Sequence, residues 1–162
     1  MINHPIPPVY NENSKVLILG SFPSVKSRDA KFFYGHPQNR FWRVLAALFG
    51  EELPVSIDEK RELLLSHNIA VWDVISSCDI EGSADSTIKN AVANDLSVIL
   101  DTADIKAIFV NGKTAEKYYN KYLKEKTGRV AICLPSTSPA NAAYSLEKLI
   151  RNWQAVALSI KA

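Results

Sequence analysis

Cysteine is nearly absent from this 162-residue chain: Cys78 and Cys133 stand far apart, with no second pair and no metal-ligand spacing. Four thiolates for an iron–sulfur cluster are therefore excluded by count. Cys133 falls in the apolar run Val130 to Leu134 and reads most simply as a small buried hydrophobe. The three histidines are not paired at ligand spacing, and His4 and His67 read as an arm residue and a helix-end residue without a role. No apolar run approaches the length of a membrane span, and Met1-Ile2-Asn3-His4-Pro5 is no signal peptide, so the expected location is intracellular and cytoplasmic. Charge of one sign is also lacking: a net charge of +2 is too small to argue for a nucleic-acid partner by itself. Gly-x-Gly-x-x-Gly and Gly-x-Ser-x-Gly are missing. Asn111-Gly112-Lys113-Thr114 echoes the end of a phosphate-binding loop but lacks the upstream glycine, and reads as a strand-to-helix turn. No nucleophile triad can be assembled around Ser136 or Ser138 by spacing.

What is present belongs to an ordinary globular chain, 47% apolar and 22% charged, long enough for one domain with a sizeable core. Residues 1–14, rich in proline, read as an arm on a domain that takes in the whole chain, 1–162. Val16 to Leu19, ending at Gly20, has the continuous apolar pattern of a strand buried on both faces. Residues 25–36 read as irregular, and residues 38–49 as a helix closed by Gly50. Ser56-Ile57-Asp58-Glu59 is a capping box opening a helix to about His67. Further strands are expected over Ile69–Ile75, Ala107–Val110 and Arg129–Leu134, with residues 76–86 a loop. Further helices are expected near 92–102, over 114–126, and from Leu146 onward with apolar residues at helical spacing to Ile160. Strands alternating with helices imply an α/β fold: three layers, α/β/α, around a four-stranded parallel sheet. Ligands in such folds bind beyond the carboxyl ends of the strands. The loops after the first and fourth strands are the richest in Pro, Ser and Asn.

The stretch Tyr34-Gly35-His36-Pro37-Gln38-Asn39-Arg40-Phe41-Trp42 carries more polar chemistry than a connection requires. Pro37 keeps His36 out of helical geometry. Phe41, Val44, Leu45, Leu48 and Phe49 then repeat at helical spacing, so Gln38 and Asn39 sit at or near a helix N-terminus, where free N–H groups favour anions. Asn39 is also a natural cap. Lys26, Arg28, Lys31, Arg40 and Arg43 crowd this region. Lys113, Lys117, Lys121, Lys124 and Lys126 stud one helix, as a solvated face does. Asp73 follows Trp72 near the end of the second strand, where a carboxylate either orients a site residue or bonds into the next loop, the latter being favoured.

Three segments together carry a likeness. Gly20-Ser21-Phe22-Pro23-Ser24, then His36-Pro37-x-Asn39-Arg40-Phe41-Trp42, then Leu134-Pro135-Ser136-Thr137-Ser138-Pro139-Ala140-Asn141 resemble the uracil-DNA glycosylase superfamily, in family order. The His36–Trp42 segment is nearly that of the mismatch-specific uracil/thymine branch, and the combination is most similar to the hypoxanthine-DNA (deoxyinosine) glycosylase subgroup. The family fold, a four-stranded parallel sheet between helices, agrees with the pattern read above. One departure stands out. The familiar first motif is Gly-x-(Asp/Asn)-Pro, whose polar third residue positions the attacking water. This chain has Phe22 there, and an apolar ring cannot orient water. In the hypoxanthine-type subgroup the Asn of the His-Pro-Gln-Asn motif is catalytic, which carries over to Asn39, while Phe22 argues against efficient uracil excision.

The resemblance implies a monofunctional DNA glycosylase, a monomer acting on damaged DNA at the nucleoid, without metal or cofactor. The enzyme must flip a nucleotide into a pocket to reach its glycosidic bond. Asn39 would place water, Tyr34 would stack on the base, and Gly20, Ser21, Phe22, His36 and Gln38 would surround it. His36 either donates to the leaving purine or supports the loop, with support favoured. The loop Ser136, Thr137, Ser138, Pro139 and Asn141 would contact DNA, and Lys26, Arg28 and Arg40 the phosphates. Two other functions fit these residues: a uracil- or thymine-mismatch glycosylase, and a non-catalytic module that binds flipped or single-stranded bases.

Overall fold

In the computed structural model, which describes residues 1–161, seven strands and seven α-helices follow one another along the chain, with one 3-10 turn over Asp85–Thr87. A two-residue strand β1 (Ile2–Asn3) is followed by β2 (Val16–Gly20), α1 (Val25–Ala30), α2 (Phe41–Phe49), α3 (Ile57–Ser66), β3 (Ile69–Asp73) and β4 (Ile75–Asp79). Then come β5 (Lys89–Ala93), α4 (Ser97–Leu100), β6 (Ala107–Asn111), α5 (Lys113–Tyr122), α6 (Lys124–Thr127), β7 (Ala131–Leu134) and α7 (Leu146–Lys161). The main sheet has four parallel strands in the order β3-β2-β6-β7, as the alternating pattern predicts. No helix among the described residues is long and apolar enough to cross a membrane.

Alternation along β2 builds two cores, because successive side chains point to opposite faces of a strand. Val16 and Ile18 join Phe41, Leu45, Leu64 and Trp153 from the layer of α2, α3 and α7. Leu17 and Leu19 join Ile99, Ala115, Tyr118 and Tyr119 from α4 and α5. All five β2 residues are buried, which accounts for the unbroken apolar run. The capping box at α3 is formed in full, Ser56 accepting from the Glu59 N–H while the Glu59 carboxylate accepts from that of Ser56. Gly50 ends α2 at φ 65°, a left-handed conformation that glycine adopts at little cost.

Several local expectations are corrected. The strand expected over Ile69–Ile75 ends at Asp73, because the Val74 and Ile75 N–H groups donate to the carbonyls of Gly20 and Ser21. The chain then turns out of the main sheet into β4, so residues 76–79 are strand and not loop. The helix expected near 92–102 is instead β5 followed by the single turn α4. Pairing of β5 with β4 overrides a weak helical period there, and Val92 is left exposed. Residues 25–30 are a helix rather than irregular, because the Ser24 hydroxyl accepts from the Ser27 N–H and caps it. The helix 114–126 is broken at Leu123 into α5 and α6. Finally, residues 1–14 are no free arm. Strand β1 pairs with β4, Val9 bridges Val71, and Ile6 and Val9 are buried at 3% and 1% exposure.

Burial of that magnitude has a measurable consequence. Ile6→Ala should cost about 2–5 kcal/mol in chemical denaturation, as for other core truncations. A free arm would give a change within about 0.5 kcal/mol.

Candidate functional site

The carboxyl ends of the main strands surround a cavity of about 310 Å³, at the small end of the ~300–1,000 Å³ range of ligand sites. It lies where an α/β sheet reverses its strand order, beside the ends of the central strands β2 and β6. β2 supplies Gly20 and leads into Ser21 and Phe22, β3 supplies Asp73, β6 supplies Asn111, and the loop after β7 supplies Ser136 to Ala140. Tyr34, His36 and Asn39 enter from the loop before α2.

That loop is held by its own side chains. The Asn39 Oδ1 accepts from the Phe41 N–H at 2.9 Å, so the residue caps the start of α2 and its amide is fixed in direction. The second lone pair of Oδ1 and the amide NH₂ make no hydrogen bond with the protein among the described residues. His36 Nδ1 accepts from the Gln38 N–H at 3.1 Å, which leaves the proton on Nε2. Tyr34 adopts φ 52° and stacks on Phe41 with ring centroids 3.9 Å apart. Its hydroxyl is buried without a hydrogen-bond partner, although the Asn111 amide approaches it without the geometry of a bond. Burial, reinforced by the charge of Asp73, pushes the Tyr34 pKa far above its ordinary value, so the group remains an O–H donor.

Arg40 stands apart from the expected phosphate contacts. Its guanidinium donates to the carbonyls of Ser138 at 2.9 Å and Asn141 at 3.0 Å, and to that of Tyr144. Its backbone N–H reaches the Thr137 carbonyl at 3.1 Å. One side chain thus ties the loop before α2 to the loop after β7. Arg28 also turns toward the protein, donating to the Gly82 carbonyl at 2.6 Å with its guanidinium carbon 5.6 Å from the centre of the Phe22 ring, while its Nε is buried without a partner. Of the three basic residues expected at phosphates, Lys26 alone is exposed and without an ion-pair partner among the described residues. Thr137 lines the cavity and is fully buried, its hydroxyl accepting from the Asn111 amide at 3.0 Å. Asn141 donates to the Ser136 carbonyl at 3.0 Å, while Pro139 and Ala140 form the exposed tip. Gln38 is exposed and outside the cavity lining, whereas Gly20, Ser21, Phe22, Tyr34, His36, Asn39, Ser136 and Ser138 all line it.

Asp73, Asp85 and Asn111, which sequence reasoning missed or passed over, line the cavity, and His4 lies behind Asp73. His4 was read as roleless, yet its Nε2 lies 2.7 Å from Asp73 Oδ2 and its side chain is 3% exposed. An arm residue has no spacing that relates it to a strand end 69 positions away. Asn111 looked like a turn residue, and its side chain instead binds Thr137 through both its oxygen and its nitrogen. Asp85 accepts from the Ser21 hydroxyl at 3.2 Å. Although one side of it is exposed, the protein around its carboxyl raises its pKa above the usual aspartate value, with burial the main cause. Among the described residues no three of His, Cys, Asp and Glu converge as metal ligands would.

A family model for the uracil DNA glycosylase superfamily matches residues 7–157, and the chain belongs to that superfamily. It is 37% identical over 158 residues to a protein named hypoxanthine DNA glycosylase from Methanosarcina acetivorans, covering 96% of this chain and 98% of the relative. It is 39% identical over 114 residues to a protein of the same name from Methanosarcina barkeri, covering 69% of this chain and 72% of that one. The solution NMR structure of a candidate uracil DNA glycosylase from Methanosarcina acetivorans superposes with a TM-score of 0.84 at 34% identity, covering both chains in full.

Two outcomes follow from the site's architecture. Arg40→Ala should open the loop after β7 to proteolysis and lower stability by about 1.5–3 kcal/mol, the scale of bonds made by a charged donor. Asp85→Asn should raise the melting temperature at neutral pH by removing a charge the cavity disfavours. A raised carboxyl pKa contributes stability below the unfolded value and loses it as pH rises through the folded one. The gain should therefore shrink to nothing in acid, which melts across a pH series would reveal.

Proposed function

We propose that this chain is a DNA glycosylase that hydrolyses the N-glycosidic bond of hypoxanthine in DNA, acting as a monomer and a single domain. One observation carries the reading: the Asn39 amide, the Phe22 ring and the Tyr34 ring line one cavity at the strand ends. The names of the two Methanosarcina relatives supply the base. A flipped nucleotide enters between the loops before α2 and after β7, at a cost of a few kcal/mol that is least for a mispaired base. The face of Tyr34 turned away from Phe41 stacks on it, since any flat base accepts a π-face. Phe22 supplies an apolar wall where a polar group would otherwise hold water.

The chemistry then falls to Asn39. Departure of the base takes the bonding electron pair and leaves a cationic sugar carbon. Asn39, fixed by its bond to the Phe41 N–H, uses the second lone pair of Oδ1 to hold a water whose oxygen bonds to that carbon. The water's proton passes to the expelled base. An amide is a poor base, but a cationic centre needs little activation of its nucleophile. The free Nε2–H of His36 lies at the cavity wall as a donor for the leaving purine, while Nδ1 supports the loop. The exposed tip Pro139–Ala140 enters the gap left by the flipped nucleotide, and Lys26 contacts phosphate. Since the Arg40 guanidinium is bonded to three carbonyls and that of Arg28 to one, binding weakens with salt less steeply than three free phosphate contacts would require. The reaction takes place in the cytoplasm, at the nucleoid.

The test is excision from duplexes holding one hypoxanthine, uracil, xanthine or ethenoadenine. Hypoxanthine should be released in the presence of EDTA with the strand left intact until alkali treatment. A protein that binds such duplexes and releases no base is a non-catalytic module. Asn39→Ala should lower single-turnover excision by about 10²-fold or more while binding inosine-containing duplex. The lost cap should cost about 1 kcal/mol in a melt of the same preparation. Near-normal excision by that variant would leave Asn39 as a cap only.

A further inference from the structure

The buried pair His4–Asp73 has no part in the chemistry above, and its geometry is specific. His4 is pinned from both sides: its backbone N–H donates to the Ser76 carbonyl at 2.8 Å, and its Nδ1 accepts from the Ile6 N–H at 3.1 Å. A ring nitrogen that accepts a hydrogen bond carries no proton, so the proton is on Nε2. That N–H donates to Asp73 Oδ2 at 2.7 Å. Phe22 and Trp72 pack edge-on against the imidazole at 5.9 and 6.4 Å between centroids, so the ring cannot turn away. Asp73 itself is 3% exposed, and its carboxylate is held by one oxygen.

The other oxygen, Oδ1, makes no hydrogen bond among the described residues, and Asp73 is a residue of the cavity lining. It leans over Gly20 so closely that a Cβ on that residue would lie 2.4 Å from it. The same Cβ would lie 3.0 Å from the Tyr34 hydroxyl, which is buried and unpartnered. An unused acceptor and an unused donor thus meet at the floor of one cavity. A buried hydroxyl left without a partner, beside an unused carboxylate oxygen, marks a place suited to a polar occupant.

We propose that Asp73 Oδ1 is the acceptor that selects the base by its ring N–H, and that His4 is the residue that positions it. This rests on the glycosylase reading and adds its specificity determinant. Deamination of adenine turns N1 from an acceptor into an N–H donor. A carboxylate facing that edge accepts from hypoxanthine and repels the lone pair of adenine. His4 makes the arrangement one-way, because its Nε2–H occupies Oδ2 and leaves only an acceptor exposed. Guanine carries the same N–H, so its exclusion falls to the stability of its pair in the duplex, which resists flipping.

The experiment compares deoxyinosine with 1-deazadeoxyinosine, in which C–H replaces N1–H, by single-turnover excision from duplex. It also measures binding of free hypoxanthine, its 1-deaza analogue and adenine to the same proteins. The analogue changes leaving ability equally in every variant, so the inosine-to-analogue ratio is compared between variants. Wild type should prefer inosine, and Asp73→Asn should reduce that preference by about 10–100-fold, the range for one hydrogen bond to a charged group. In Asp73→Asn the amide oxygen keeps the His4 bond and the NH₂ faces the cavity, so adenine should bind more tightly than in wild type. His4→Ala should lose much of the preference and His4→Gln, which restores a donor, should recover it, with melts reporting stability alongside. A ratio unchanged in Asp73→Asn overturns the acceptor role. A ratio lost in Asp73→Asn but unchanged in His4→Ala overturns the positioning role. If wild type releases no hypoxanthine, the glycosylase reading fails by itself. The free-base preferences then decide the acceptor role alone, and a wild type indifferent to N1–H overturns it.

Discussion

Everything at the candidate site depends on the absence of a side chain at Gly20. The central strand β2 ends there, and its last residue must let Asp73 Oδ1 and the Tyr34 hydroxyl come within van der Waals reach of the backbone. A single methyl group would collide with the carboxylate at a distance real Cβ atoms do not show. Because Asp73 pairs with Gly20 across the β2–β3 register, the carboxylate cannot step aside without disturbing the sheet itself. The glycine thus sets the depth of the cavity floor, and the polar groups collected above it depend on that depth.

The second constraint is the guanidinium of Arg40. Two loops far apart in sequence, one before α2 and one after β7, have to face each other across the cavity, and neither is held by strand pairing. Arg40 reaches three carbonyls of the second loop from the foot of the first, a use of its forked donors that a lysine could not reproduce. Trp153 of α7 adds a bond to the Pro135 carbonyl at 3.0 Å, anchoring the same loop to the core. The exposed tip Pro139–Ala140 therefore projects from a base that is fixed. The insertion proposed for this loop needs such rigidity, since a limp segment would lose to entropy what it gained in contact.

The catalytic role proposed for Asn39 and its structural role fall on one side chain. Its bond to the Phe41 N–H is an ordinary helix-start contact, and the same bond removes the freedom that an amide would otherwise spend when it orients water. A residue can serve both purposes because a carbonyl oxygen has two lone pairs. The segment Tyr34–Trp42 compresses this further: Phe41 backs the Tyr34 ring, and the Trp42 indole donates to the Phe33 carbonyl at 3.2 Å. The apolar residues of that motif hold its polar ones in place.

Local chemistry made much of this legible in the residues alone. The strand β2 was readable because burial on both faces demands an unbroken apolar run. The helices α3 and α7 were readable from a capping box and a sustained 3.6-residue period. The three loops that gather at the cavity could be named because strand-to-helix connections carry their own glycine, proline and asparagine signals. Tertiary structure alone decided the rest. Residues 89–93 became a strand because β4 was there to pair with them, although the helical period read near 92–102 begins within them. Arg40 turned inward because unpaired carbonyls waited 98 to 104 positions downstream. His4 met Asp73 because the first residues lie along β4 and bring an imidazole to a strand end that no periodicity connects to it. Hydrogen bonds between distant residues leave no spacing in a sequence, since their partners are chosen by the packing of the elements that carry them.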